Sequence, residues 1–227
     1  MNPPHSPPLH LTSRYRLIGL VLAVSAILMG MVLFLHFWSG IPISRLTRDP
    51  VALGELSVYA GFLSQAGIFF WSASATLCLF SARVLSGNTE HQNLRLFLLV
   101  SGLLTLLLGL DDTFLLHEKV LPHFGIPQNL VLGSYAGFVL LYLFRFYPLI
   151  LETEYVLLVI ALSFFAVSVI LDVLEPPGIS LFFFEDGAKL TGIVSWLAYF
   201  FRVGEDAVYF YGARQNAAPD RHSDRAP

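Results

Sequence analysis

The sequence predicts an all-α, polytopic integral membrane protein, a bundle of six transmembrane helices with polar tails. Three observations predict it. The 227 residues are 56% hydrophobic and 13% charged, with 20 phenylalanines and a mean hydropathy of +0.69, well outside the range of a soluble domain. Six apolar runs follow one another along the chain, each near the ~20 residues needed to cross a bilayer core. The stretches between them hold Pro, Gly and charged residues that stop helices, and none is long enough to fold as a soluble domain.

Residues 1–13 are proline-rich and have too little apolar content to bury, so a disordered tail is expected there. Arg14 and Arg16 then precede the first run, Leu17 to Trp38. It is longer than the ~7–15 residue core of a signal peptide and lacks a small-x-small cleavage site, which favours a retained helix. Ile41-Pro42 and Asp49-Pro50 punctuate a loop with Arg45 and Arg48. A second run, from about Leu56 to Leu85, carries Gly61, Ser64, Gly67, Ser72 and Ser74, small residues that suit close helix–helix contact.

Ser86-Gly87-Asn88 is a turn. The third run extends from about Leu94 to Leu116 and ends in Asp111, Asp112, His117 and Glu118, before Pro122 and Pro127. The fourth runs from about Leu130 to Ile150, with Tyr142, Phe144, Phe146 and Tyr147 as an interfacial belt near its end. The fifth covers about Tyr155 to Leu171, then reaches Asp172, Glu175 and Pro176-Pro177-Gly178. Ile179 to Phe184 is too short to cross and is expected as a separate interfacial piece. The sixth opens at Glu185-Asp186-Gly187-Ala188-Lys189 and runs to about Tyr211, with Arg202, Glu205 and Asp206. The domain is therefore bounded at 14–212, and a polar, disordered tail is expected over 213–227.

With six crossings and an inside N-terminus, one side of the membrane collects most of the arginines, while the other keeps only Arg45, Arg48, Lys119 and Lys189. That asymmetry predicts a cell-membrane protein with both termini cytoplasmic. The outer side then gathers His36, Asp111, Asp112, His117, Glu118, His123, Asp172, Glu175, Glu185 and Asp186. Charged groups at the end of an apolar run are costly unless paired, metal-bound or in a wet cavity, so this group marks the candidate site.

Asp111 and Glu118, two helical turns apart, are expected to share a face, and Asp112 and His117 to point elsewhere. A site would then draw ligands from several helices. His36, Asp111, His117, Glu118, Glu185 and Asp186 form the expected metal set, for a divalent Zn, Fe or Mn ion. Asp111, Asp112, Glu118 and Lys189 are the expected catalytic groups. A helix-end carboxylate from the third run should approach Glu185, Asp186 or Lys189.

Cys78 is the single cysteine, which excludes an intrachain disulfide framework and a cysteine-based zinc site. His117-Glu118 lacks the second histidine of a zinc-protease H-E-x-x-H helix, since His123 lies beyond Pro122. Glu185-Asp186-x-x-Lys189 resembles the paired-acid motif of some intramembrane CAAX-processing-type proteases, and Phe114-x-x-x-Glu118 resembles a second motif of one branch. Their order is reversed and no His-x-x-x-Asn or His-x-x-x-Asp follows, so the family is not assigned. Asp186 also reads as an N-cap of the sixth helix, and Arg202 with Asp206 as an i,i+4 ion pair.

Three functions compete. The first is a metal-dependent enzyme acting on a lipid or other hydrophobic small molecule. The second is a proton- or cation-coupled transporter or channel, and the third a non-catalytic membrane subunit. The lipid bilayer is the expected partner. The small net charge of -3 and dispersed arginines argue against nucleic acid.

Overall fold

The computed structural model describes residues 11–57, 59–86, 91–174 and 181–217. Among them all regular structure is helical and no strand occurs. The chain divides into two units, residues 1–60 and 61–227.

The first unit holds α1 (Leu11–Ser39), α2 (Ile43–Thr47) and α3 (Pro50–Leu53). Helix α1 starts inside the segment expected to be a tail, so residues 11–13 are helical. Its end is closed locally: Gly40 N–H donates to the His36 carbonyl at 2.9 Å, and His36 Nδ1 meets the Ile41 carbonyl at 2.7 Å. Asp49 caps α3 by accepting from Val51 N and Ala52 N at 2.8 and 3.0 Å, with Pro50 at the first helical position.

The second unit contains α4 (Phe62–Val84), α5 (Gln92–Phe114), a π-helical turn (Leu116–Val120), α6 (Leu121–His123), α7 (Gln128–Leu151), α8 (Tyr155–Leu174) and α9 (Leu181–Ala217). Among the described residues, five helices are long and apolar enough to cross a membrane: α1 over Ile18–Ser39, α4, α5, α7 and α8. Helix α9, the sixth run, is long enough but interrupts its apolar residues with Glu185, Asp186, Lys189, Arg202, Glu205 and Asp206. It absorbs the Leu181–Phe184 part of the piece expected to stand alone, so Asp186 lies inside the helix rather than at its cap, and it extends past 212 to Ala217. Glu175 lies outside the described residues, as do the expected tails at 1–10 and 218–227.

In the second unit, α4, α5 and α9 each bury one stripe at helical spacing. On α5 the stripe is Phe97, Ser101, Leu104 and Asp111; on α9 it is Ile193, Trp196, Phe200, Val203 and Ala207; on α4, Gly67, Trp71, Ser74, Cys78 and Ser81. Trp71, Phe165 and Trp196 pack together where α4, α8 and α9 meet, Trp71 stacked on Phe165 and both tilted against Trp196, with ring centroids 5.5 to 6.4 Å apart. Phe97 packs against Tyr142 and Phe146 to hold α7 on α5. Hydrocarbon gives no hydrophobic drive between helices, so this packing and the polar clasps between helices do the joining. The clasps are Trp196 Nε1 donating to Thr105 Oγ1 at 2.9 Å, Ser101 Oγ with Tyr142 OH at 2.6 Å, and Gln128 Nε2 donating to Asp172 Oδ2 at 3.0 Å. Interhelical bonds of this kind contribute on average about 0.6 kcal/mol each.

Candidate functional site

The site begins where the buried stripe of α5 runs into charge. Asp111 falls seven residues after Leu104, on the same face, and is 6% exposed. One turn later the helix breaks: Leu115 takes the left-handed conformation at φ +51°, which a residue with a branched side chain adopts at a cost of about 1–2 kcal/mol. A π-helical turn over Leu116–Val120 follows.

That break sets the geometry of the site. Asp111 accepts from the backbone N–H of His117 at 2.9 Å and from its ring Nδ1. The Tyr135 hydroxyl, from α7, donates to Asp111 Oδ1 at 3.0 Å. The straight-helix expectation that Asp111 and Glu118 share a face apart from His117 fails here, because the left-handed residue and the wider turn rotate His117 back onto Asp111. With Asp111 ionised, its bond to Nδ1 places the imidazole proton there and leaves Nε2 as the exchanging nitrogen. Nε2 lies 3.7 Å from Glu118 Oε1, a carboxylate about one-third exposed. The Asp111 bond, opposed by burial, holds the His117 pKa above its ordinary 6.5.

Asp112, the next residue, faces a different neighbour. Its Oδ1 is 2.7 Å from Lys189 Nζ on α9, and its side chain is only 10% exposed. This is the helix-end contact expected from the sequence, made directly rather than through water. Around the pair lies a cavity of about 30 Å³ between α4, α5 and α9. Ser64 and Asp186 complete its polar lining, and Leu63, Leu190 and Ile193 its apolar wall. Gly67 leaves the space open: a Cβ there would stand 3.2 Å from Ile193 Cδ1 and 3.7 Å from Asp112 Oδ2.

The remaining expected residues are placed as follows. Glu185 is half-buried and Asp186 exposed on α9. Asp172 spends a carboxylate oxygen on Gln128. His36 belongs to the first unit, where its ring is engaged by Ile41. Among the described residues no three His, Cys, Asp or Glu side chains gather in a way that would hold a metal ion. Tyr135 is the one participant that the sequence reading passed over. It sits in an apolar run without charged neighbours, and the only available signal was that a buried tyrosine hydroxyl needs a partner.

At the other end of α9, Arg202 bonds Glu154 Oε1 through Nε and Nη2 at 3.1 and 2.9 Å, and Glu205 Oε2 through Nη1 at 2.6 Å. The expected partner Asp206 is replaced by Glu205, one position nearer, because Glu154 already fixes the guanidinium from the α7–α8 connection.

The domain of unknown function DUF8692 matches residues 17–203, most of both units. The chain belongs to the DUF8692 family. Its match takes in Asp111, Asp112, His117, Lys189 and Arg202, so every contact of the candidate site lies within the family domain. No curated protein and no solved structure matches the chain.

Proposed function

We propose that this DUF8692 chain is a multi-pass membrane enzyme whose acid–base centre is the Asp111–His117 pair, acting on a hydrophobic substrate at the extracytoplasmic boundary. In this reading α9 is the sixth crossing and both termini are cytoplasmic. The observation that carries it is the buried Asp111 carboxylate bound to His117 Nδ1, which orients the ring and fixes its tautomer. Nε2 then accepts a proton from an attacking O–H and returns it to the leaving atom, while Asp111 and Tyr135 hold the imidazolium formed in between. Glu118, with Oε1 3.7 Å from Nε2, adds a negative charge that favours the imidazolium while it lasts.

The divalent ion expected from the sequence has no part in this reading. Asp111 and Asp112 direct their oxygens to His117, Tyr135 and Lys189 rather than to a common centre. A transmembrane proton relay is also less well supported. Three hydroxyls within the bundle end in backbone carbonyls: the buried Ser101 Oγ donates to Phe97 O and Thr105 Oγ1 to Ser101 O, and the half-buried Thr153 Oγ1 donates to Ile150 O. A carbonyl cannot pass a proton on.

The test is turnover of a lipid-ester and lipid-amide panel by protein in nanodiscs, followed by mass spectrometry. Loss of a general base lowers turnover by roughly 10²–10⁴-fold, and this is expected for His117→Gln and Asp111→Asn with the fold intact by circular dichroism. Proton or cation flux in proteoliposomes that is lost in the same variants, without any turnover, would replace the enzyme by a transporter. No effect of either variant on turnover or flux would overturn the assignment.

A further inference from the structure

We infer that the cavity between α4, α5 and α9 receives the ammonium group of an amphiphilic amine, which names the substrate class of the enzyme and rests on that reading for turnover but not for binding. The size is the first argument. A single water needs roughly 10–15 Å³ of such space, and the cavity offers about 30 Å³, room for one water-sized head group and the start of a chain.

The charge is the second. Asp112, Asp186 and Lys189 line the space, and two carboxylates against one ammonium leave a single negative charge. One N–H of Lys189 is held by Asp112 Oδ1. Asp112 Oδ2 faces the opening kept by Gly67, so the acceptors still on offer are that oxygen, Asp186 and the Ser64 hydroxyl. A cation with several N–H donors satisfies them, whereas an anion would meet two carboxylates. Glu118 adds to the negative potential that Asp112 and Asp186 set up at Lys189.

The third argument is the wall. Leu63, Leu190 and Ile193 form one side of the space, and an inorganic cation would gain nothing from them. A hydrocarbon chain attached to the ammonium would cover all three.

The geometry also explains Gly67. A methyl group at this position would press on Ile193 Cδ1 at 3.2 Å and lie in ordinary contact, at 3.7 Å, with the Asp112 oxygen that the amine would use, so a longer side chain would occupy the receptor.

Native mass spectrometry of the full chain released from nanodiscs, with dodecylamine as the probe and dodecanol and dodecyl sulfate as matched controls, reads the occupancy directly. One dodecylamine per chain is expected to be retained, with at least ten-fold weaker retention of both controls. Asp186→Asn, at an exposed position that leaves the fold intact, is expected to weaken amine retention several-fold, and Gly67→Leu to abolish it. His117→Gln should leave retention unchanged, so a failure of the acid–base reading and a failure of this one are told apart. Equal retention of amine and alcohol, or retention indifferent to Asp186→Asn and Gly67→Leu, would overturn the assignment. So would displacement of the amine by sodium chloride alone, which would mark a simple cation site.

Discussion

Two ionic clusters sit at opposite ends of the second unit's helical core, and they are built from similar residues with opposite outcomes. At the Arg202 end, the guanidinium and both carboxylate partners are about half exposed. Water competes for every bond, and such pairs contribute little beyond geometry. At the His117 end, Asp111 and His117 are buried and Asp112 is nearly so. There each charge depends on a named partner, and removal of one strands the other. Exposure, more than residue type, separates a structural clasp from a candidate site.

The comparison breaks most visibly at Asp111. Replacement by leucine leaves the His117 N–H, the His117 ring and the Tyr135 hydroxyl without their acceptor. A loss of about 3–5 kcal/mol is expected, the range for stranding a buried polar or charged partner. Urea unfolding of the detergent-solubilised protein measures it, and a loss no larger than that of an exposed substitution would refute the burial argument.

Much of this contrast was legible in the sequence, and the illegible part has a physical cause. The apolar runs located five of the membrane-length helices to within a few residues, because a 20-residue hydrophobic stretch leaves few alternatives. The third-run acids and Lys189 were placed at one level by the same reasoning, and Asp112 meets Lys189 there. The partnership of Asp111 with His117 was not legible. It depends on Leu115 adopting a left-handed conformation, which neither its residue type nor the surrounding apolar pattern signals; an ideal helix separates the two side chains. Asp186 was misread for a related reason. The Pro-Pro-Gly before it predicted a break, but α9 already begins at Leu181 and carries Asp186 in its second turn.

Acidity sharpens the comparison. The folded-state pKa of His117 is raised above the 6.5 of a free imidazole, chiefly by Asp111. The stability contributed by the pair is therefore complete below pH 6.5 and is lost as the pH rises through the folded value. The difference in Tm between wild type and His117→Gln should be largest in mild acid and shrink toward alkaline pH. Turnover should move the other way, since a general base works only when neutral. A stability difference that grows with pH would contradict the ionised Asp111–imidazolium pair.

The smallest effect belongs to Arg202. Its guanidinium reaches two carboxylates with good geometry, yet water and salt screen both bonds and the freed Glu154 and Glu205 can rehydrate in place. Arg202→Ala is expected to leave Tm and turnover within experimental scatter, and Arg202→Lys to be indistinguishable from it. The informative measurement is salt dependence. If the cluster is a solvated clasp, raising the ionic strength should erase whatever difference low salt reveals, while the Asp111→Leu deficit persists, because buried groups lie beyond the reach of counterions. A salt-resistant loss of stability or turnover in Arg202→Ala would show that this end is buried in the working protein. It would then have to be treated as a second site, on equal terms with His117.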